Sequence, residues 1–172
     1  MKRIFLSALL LTSIIFCQAQ ALKKYAIGNS GCSVYMLCDP GKFDEDYSED
    51  SSKVFTAECL KDNINYGVIC VKLLLPVNDL SAAEGVAISY LDYLKAEFDI
   101  KTAVGYGKGH RLNNNENTRG IMDYWTDSES ANWKIKAWTD GKFICVLYAN
   151  SKKELPDEKV DVFLNSLRLP GM

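Results

Sequence analysis

Two segments of the chain are apolar on both side-chain parities, and this constrains the fold more than any other feature. In Tyr66 to Leu75 (YGVICVKLLL), Ile69, Val71, Leu73 and Leu75 fall on one parity and Tyr66, Val68, Cys70 and Leu74 on the other. Lys142 to Ala149 (KFICVLYA) reads the same way. Successive residues of a strand point to opposite faces of its sheet, so a strand greasy on both sides must be covered on both sides.

The material for that cover is in the sequence. Pro76 ends the first segment, Asp79 or Ser81 can cap a helix, and Ser81 with Glu84 fits a capping box. Leu80, Ala83, Ala87, Leu91, Leu94 and Phe98 then recur at three- and four-residue steps, one stripe of a long amphipathic helix. Pro156 opens a closing helix with Val160, Phe163, Leu164 and Leu167 on its apolar side.

The remaining strands are bounded by turn signals. Cys32 to Cys38 (CSVYMLC) ends at Asp39-Pro40-Gly41 and reads as strand one; Lys53 to Leu60 alternates as strand two; Asp62 to Asn65 turns into strand three, Tyr66 to Leu75. After the long helix come Thr102 to Leu112, an asparagine-rich turn at 113–117, and Thr118 to Thr126. Ala131 to Thr139 joins Lys142 to Ala149 across Asp140-Gly141, a dipeptide suited to a tight hairpin. Short links imply antiparallel pairing. The expected fold is α+β: a single antiparallel sheet of six to seven strands, a long helix after strand three, a C-terminal helix, and helices covering both faces.

The N-terminus reads as a secretory signal peptide. Lys2 and Arg3 precede an apolar run from Ile4 to Phe16 and then Ala19-Gln20-Ala21, with cleavage expected after Ala19 or Ala21. As a helix that run spans about 20 Å, short of the roughly 30 Å of a bilayer core, so no permanent membrane span is expected. Cys17 invites a lipoprotein reading, but the bulk of Phe16 argues against it. The expectation is residues 1–21 as leader, 22–172 as one domain, and a periplasmic or secreted location. Loss of Lys2 and Arg3 takes the net charge from −2 to about −4, so no basic field exists to hold nucleic acid.

Cys32, Cys38, Cys59, Cys70 and Cys145 remain, an odd number. Without a CxxC pair, and with one histidine in the chain, zinc is disfavoured; in an oxidising compartment a disulfide is expected. Cys32 and Cys38 lie about 20 Å apart along one strand and cannot bond each other. If strands one and two form a hairpin, Cys32 faces Cys59; if strands two and three set the geometry, Cys59 faces Cys70. Both stay open, as does burial of all five as small apolar side chains.

Among candidate sites, FDEDYSEDSS at 43–52 is the most charged. Asp44, Asp46, Ser48 and Asp50 alternate like the start of a calcium loop, but Glu49 stands where glycine is needed and Phe55 where a bidentate glutamate belongs. The segment is expected as a solvated crossover, with calcium held by Asp44, Asp46 and Asp50 the competing reading. Gly105, Gly107 and Gly109 lack the following helix that a phosphate cradle requires. His110, the one histidine, has no recognisable nucleophile motif around it. Trp138 shares its parity with Lys134 and Lys136, which suggests an exposed aromatic face for a ligand or partner. Tyr124 and Trp125 must face opposite sides of their strand.

The short strand after Gly31, the helix after strand three, the Asp140-Gly141 hairpin and the ending Phe163-Leu164-Asn165-Ser166-Leu167-Arg168-Leu169 together resemble the PsbP-like fold family. That family includes an extrinsic photosystem II subunit, a nuclear-transport factor and many secreted bacterial proteins of unassigned role. The resemblance implies a helix-sandwiched antiparallel sheet and a binding or accessory role, and it supplies no catalytic residues. The expectation is therefore a secreted or periplasmic non-catalytic binding module without cofactor, its partner a protein or small molecule. The alternatives are an envelope enzyme using His110, or a calcium protein acting through 44–50.

Overall fold

A computed structural model describes residues 22–172. The leader and Cys17 readings lie outside the described residues. The element order is β1 (Lys23–Ala26), β2 (Ser33–Met36), β3 (Asp44–Tyr47), β4 (Lys53–Lys61), β5 (Ile64–Lys72), α1 (Leu80–Glu97), β6 (Ile100–Ala103), β7 (Gly107–His110), β8 (Arg119–Asp127), β9 (Asn132–Thr139), β10 (Phe143–Ser151) and α2 (Asp157–Leu164).

The main sheet is antiparallel and has eight strands, in the order β3-β4-β5-β10-β9-β8-β6, with β7 also on β8. The two-faced segments are β5 and β10, paired at its centre with Cys70 opposite Cys145 and Val71 opposite Ile144. One face packs Ile69, Val71, Val146, Ile135 and Trp125 with Ala87, Leu91 and Leu94 of α1. The other packs Phe55, Tyr66, Val68, Leu147 and Trp138 with Val160, Phe163 and Leu164 of α2 and with Ile27, Val34 and Met36 of the N-terminal hairpin. Asp79 caps α1, accepting a hydrogen bond from the Ala82 amide at 2.7 Å. The β9–β10 hairpin turns at Asp140-Gly141; Gly141 has a φ of 82°, and the Asp140 carboxylate accepts the Lys142 and Phe143 amides at 2.9 Å.

The single-sheet α+β expectation is corrected. The described residues are 43% strand and 19% helix, a mostly β protein, and β1 and β2 form a second, two-stranded sheet. Lys23–Ala26, unassigned from the sequence, pairs with β2 and takes it out of the main sheet. Val34 and Met36 thereby become a layer over the core instead of an edge beside β4. The acidic segment, expected as a loop, supplies the edge instead: β3 pairs with β4 and all its side chains stay in water, so its charges are not desolvated. The long helix consequently follows β5, not a third strand.

The disulfide joins Cys38 to Cys59, with Cα atoms 5.8 Å apart. Neither expected pairing, Cys32 with Cys59 or Cys59 with Cys70, is formed. In the β4–β5 register Cys59 lies opposite Tyr66, while Cys70 lies opposite Phe55, so strand geometry separates Cys59 from Cys70. With β2 off the sheet plane, it is Cys38 at the end of the hairpin that comes down over β4. The bond fixes the small sheet to the large one, beside the Lys61 ammonium donating to the Leu37 carbonyl at 2.9 Å.

A cross-link spanning 21 residues removes about 3 kcal/mol of unfolded-chain entropy. The double variant Cys38→Ala/Cys59→Ala, which leaves no unpaired thiol at the site, is expected to lower the urea unfolding free energy by about that amount. An unchanged urea midpoint would show that the hairpin stays docked by packing alone.

Candidate functional site

Two places gather chemistry that the fold itself does not demand. The first is a trio of thiols. Cys70 and Cys145 face each other across the central strands, their sulfurs 2.8 Å apart. Cys32 comes down on them from the turn between β1 and β2, and all three sulfurs lie within 4.8 Å of one another, all buried. That turn is built locally: the Ser30 hydroxyl donates to the Ile27 carbonyl at 2.6 Å and accepts the Cys32 amide at 3.0 Å, and Gly31 takes a φ of 87°. Hydrogen bonds from the Cys145 and Cys70 thiols hold Cys32 down to about 4, against its burial. Burial, then Cys32, pushes Cys145 well above the ordinary thiol value; at Cys70 the pull of Cys145 is outweighed by Cys32 and burial. The trio thus concentrates one negative charge on Cys32, with its two partners as donors.

The second place is a cleft of about 530 Å³ where β6, β8 and β9 run out from under α2. Its floor is Tyr124, Thr126, Asn132 and Lys134; its walls are Thr102 and Val104 on one side and Glu154, Leu155 and Asp157 on the other. Tyr124 is 40% exposed, whereas Trp125 turns to the α1 side and is buried. The rim at 104–106 is held by Asp123, a fully buried carboxylate overlooked in the sequence. It accepts the Gly105 amide at 2.9 Å and Trp125 Nε1 at 2.7 Å, and its other charged neighbour is Lys95 of α1 at 3.4 Å.

Trp138, Lys134 and Lys136, expected as an exposed face, are buried beneath α2. Trp138 Nε1 donates to the Leu164 carbonyl at 2.8 Å. Lys134 pairs with Asp157 and Asp161 at 2.8 and 2.9 Å; burial works against its charge, but the two carboxylates outweigh it and raise its pKa. Lys136 donates to Asn165 at 2.9 Å, and burial lowers its pKa. Their parity read as polar because the partners lie on a helix far along the chain. Lys134 alone reaches the cleft.

Asp44, Asp46 and Asp50 do not converge. Asp44 and Asp46 are exposed on edge strand β3, and Asp50 sits in the following turn with its oxygens taken by the Ser48 hydroxyl and by the Ser52 amide and hydroxyl. Among the described residues the carboxyl and thiol groups that could share an ion are the three cysteines. Of the disulfide candidates, Cys32 and Cys70 belong to this trio. Gly105, Gly107 and Gly109 belong to the broken edge strand; no helix follows them.

His110 rests over Gly120 and the Trp138 ring: a β-carbon at position 120 would come within 2.8 Å of His110 Cβ and run into the indole. Burial lowers its pKa, and the nearby Lys136 ammonium pushes the same way. The folded chain therefore refuses a proton that the unfolded chain accepts, so stability declines as pH falls through the unfolded value of 6.5. His110→Gln is expected to flatten that decline. The check is the difference in urea unfolding free energy between wild type and variant from about pH 8 to about pH 5; parallel curves would mean the imidazole is as hydrated in the fold as outside it.

Compared with known proteins, the chain matches no protein-family model and no curated protein.

Proposed function

We propose that the protein is an exported, non-catalytic binding module that takes its ligand or partner in the cleft beside the N-terminus of α2. The observation that carries this reading is the composition of the cleft: one half-exposed aromatic ring, Tyr124, with the hydroxyls of Thr102 and Thr126 and the amide of Asn132 around it. Binding sites pair an apolar contact surface with a few hydrogen-bonding groups that fix orientation, and about 530 Å³ suits a small ligand or a short peptide segment. The Lys134 charge is already matched by Asp157 and Asp161, so the cleft is suited to a neutral guest.

Export is supported by the leader reading and by the Cys38–Cys59 disulfide, which is compatible with an oxidising compartment. Among the described residues no helix is long and apolar enough to cross a membrane. The resemblance to the PsbP-like family points to the same accessory role. The alternative of chemistry at His110 needs a thiol or carboxylate against the imidazole, and that place is taken by Gly120, Trp138 and Lys136.

Isotope-labelled protein comprising residues 22–172, titrated with neutral oligosaccharides and with uncharged tripeptides, is expected to show amide shifts confined to Thr102, Val104, Tyr124, Thr126, Asn132 and Leu155. Tyr124→Ala removes the central contact and is expected to weaken binding by roughly tenfold or more, the cost of losing an aromatic anchor. Shifts that cluster elsewhere, or an affinity indifferent to Tyr124→Ala, would reject the cleft.

A further inference from the structure

We propose that Cys32, Cys70 and Cys145 form a three-sulfur site for a thiophilic cation, and that the ion it takes is Cu(I). The site is separate from the cleft and stands whether or not the cleft binds.

Three independent pieces of backbone deliver the sulfurs. The β5–β10 register sets Cys70 against Cys145 on the face away from α1, and the Ser30-supported turn lowers Cys32 between them. Sulfur donors in this arrangement select soft metals, whereas hard cations require oxygen ligands. Among the described residues no histidine or carboxylate joins the group. The one nearby hydroxyl, Ser30, is engaged with the Ile27 carbonyl and the Cys32 amide. Zinc prefers four ligands in a tetrahedron, so a dry site with three sulfurs and no fourth donor favours Cu(I) over Zn(II).

The dimensions agree. Metal–sulfur bonds of about 2.3 Å in a trigonal plane set sulfurs about 4 Å apart, so binding opens the 2.8 Å Cys70–Cys145 contact by about 1 Å through side-chain rotation. The trio already lies within 4.8 Å. A way in also exists: Gly28, Asn29 and Gly31 of the turn above are exposed, so Cys32 is buried by a single layer of backbone. Loading replaces thiol protons by the metal, one proton being released for each thiol that ionises, and requires no change in oxidation state.

The test uses the whole exported chain with its Cys38–Cys59 bond intact, loaded with Cu(I) under ascorbate against a chromophoric Cu(I) chelator. The expected result is one copper held per chain, three sulfur neighbours in X-ray absorption of the wild type, and loss of that copper in Cys32→Ser. The absorption measurement stands without any variant; circular dichroism of Cys32→Ser separates lost ligation from lost fold. Failure of the folded wild type to withdraw Cu(I) from the chelator overturns the proposal. So does preferential loading with Zn(II), or a mass for the unreduced protein showing a second disulfide between Cys70 and Cys145.

Discussion

Cys145 and Val146 are neighbours in β10 that point in opposite directions, and neither reaches water. That condition, a central strand dry on both sides, dictates what else must be present. Buried apolar surface is worth roughly 25 cal/mol per Å², but only if something apolar lies against it. The two sides are closed with different materials. On one, α1 has 18 residues and spans about 27 Å, enough to lie over β6, β8 and β9 and close on the central pair. On the other, α2 has 8 residues and spans about 12 Å, enough for β9 and β10. The hairpin of β1 and β2 completes that side over β4 and β5, fixed by Cys38–Cys59. What neither piece covers is the outer end of β8 and β6, and the cleft opens there.

The shortness of α2 also decides how polar groups are handled beneath it. Lys134 and Lys136 project into a face otherwise filled by Trp138, Leu147 and Phe163. A buried ammonium without a partner costs several kcal/mol. Asp157 and Asp161, one helical turn apart, both meet Lys134, while Asn165 just past the helix end meets Lys136 and the Leu164 carbonyl meets Trp138. These contacts orient α2 and set its angle on the sheet, and through Asp157 they also define one wall of the cleft.

Much of this layering was legible in the residues. The double parity of β5 and β10, the stripe of α1 with its Asp79 cap, the Asp140-Gly141 turn and the buried side of α2 all follow from local pattern, because each is decided within a few neighbouring residues. What was not legible depended on partners distant in the chain. Lys23–Ala26 is too short and too charged to announce a strand, and it becomes one by pairing with β2. The acidic segment became an edge strand because backbone pairing leaves its side chains in solvent. Cys32 meets Cys70 and Cys145 across large separations, which no spacing rule encodes. Tyr124 was placed opposite Trp125 by parity alone, whereas the cleft around it required knowing where α2 stops.

The two margins of the main sheet are unlike. At one, β3 presents Asp44, Glu45 and Asp46 to solvent along an unpaired backbone edge, with Glu45 tethered to Lys53 at 2.8 Å. A second molecule offering the same strand would bring carboxylates against carboxylates, and repulsion of that kind discourages strand-by-strand stacking. At the other margin β6 and β7 are broken at 104–106, which offers no continuous ladder to copy. Crowded together at high concentration, these molecules are thus protected at both ends against zipping into fibrils, by charge at one and by discontinuity at the other.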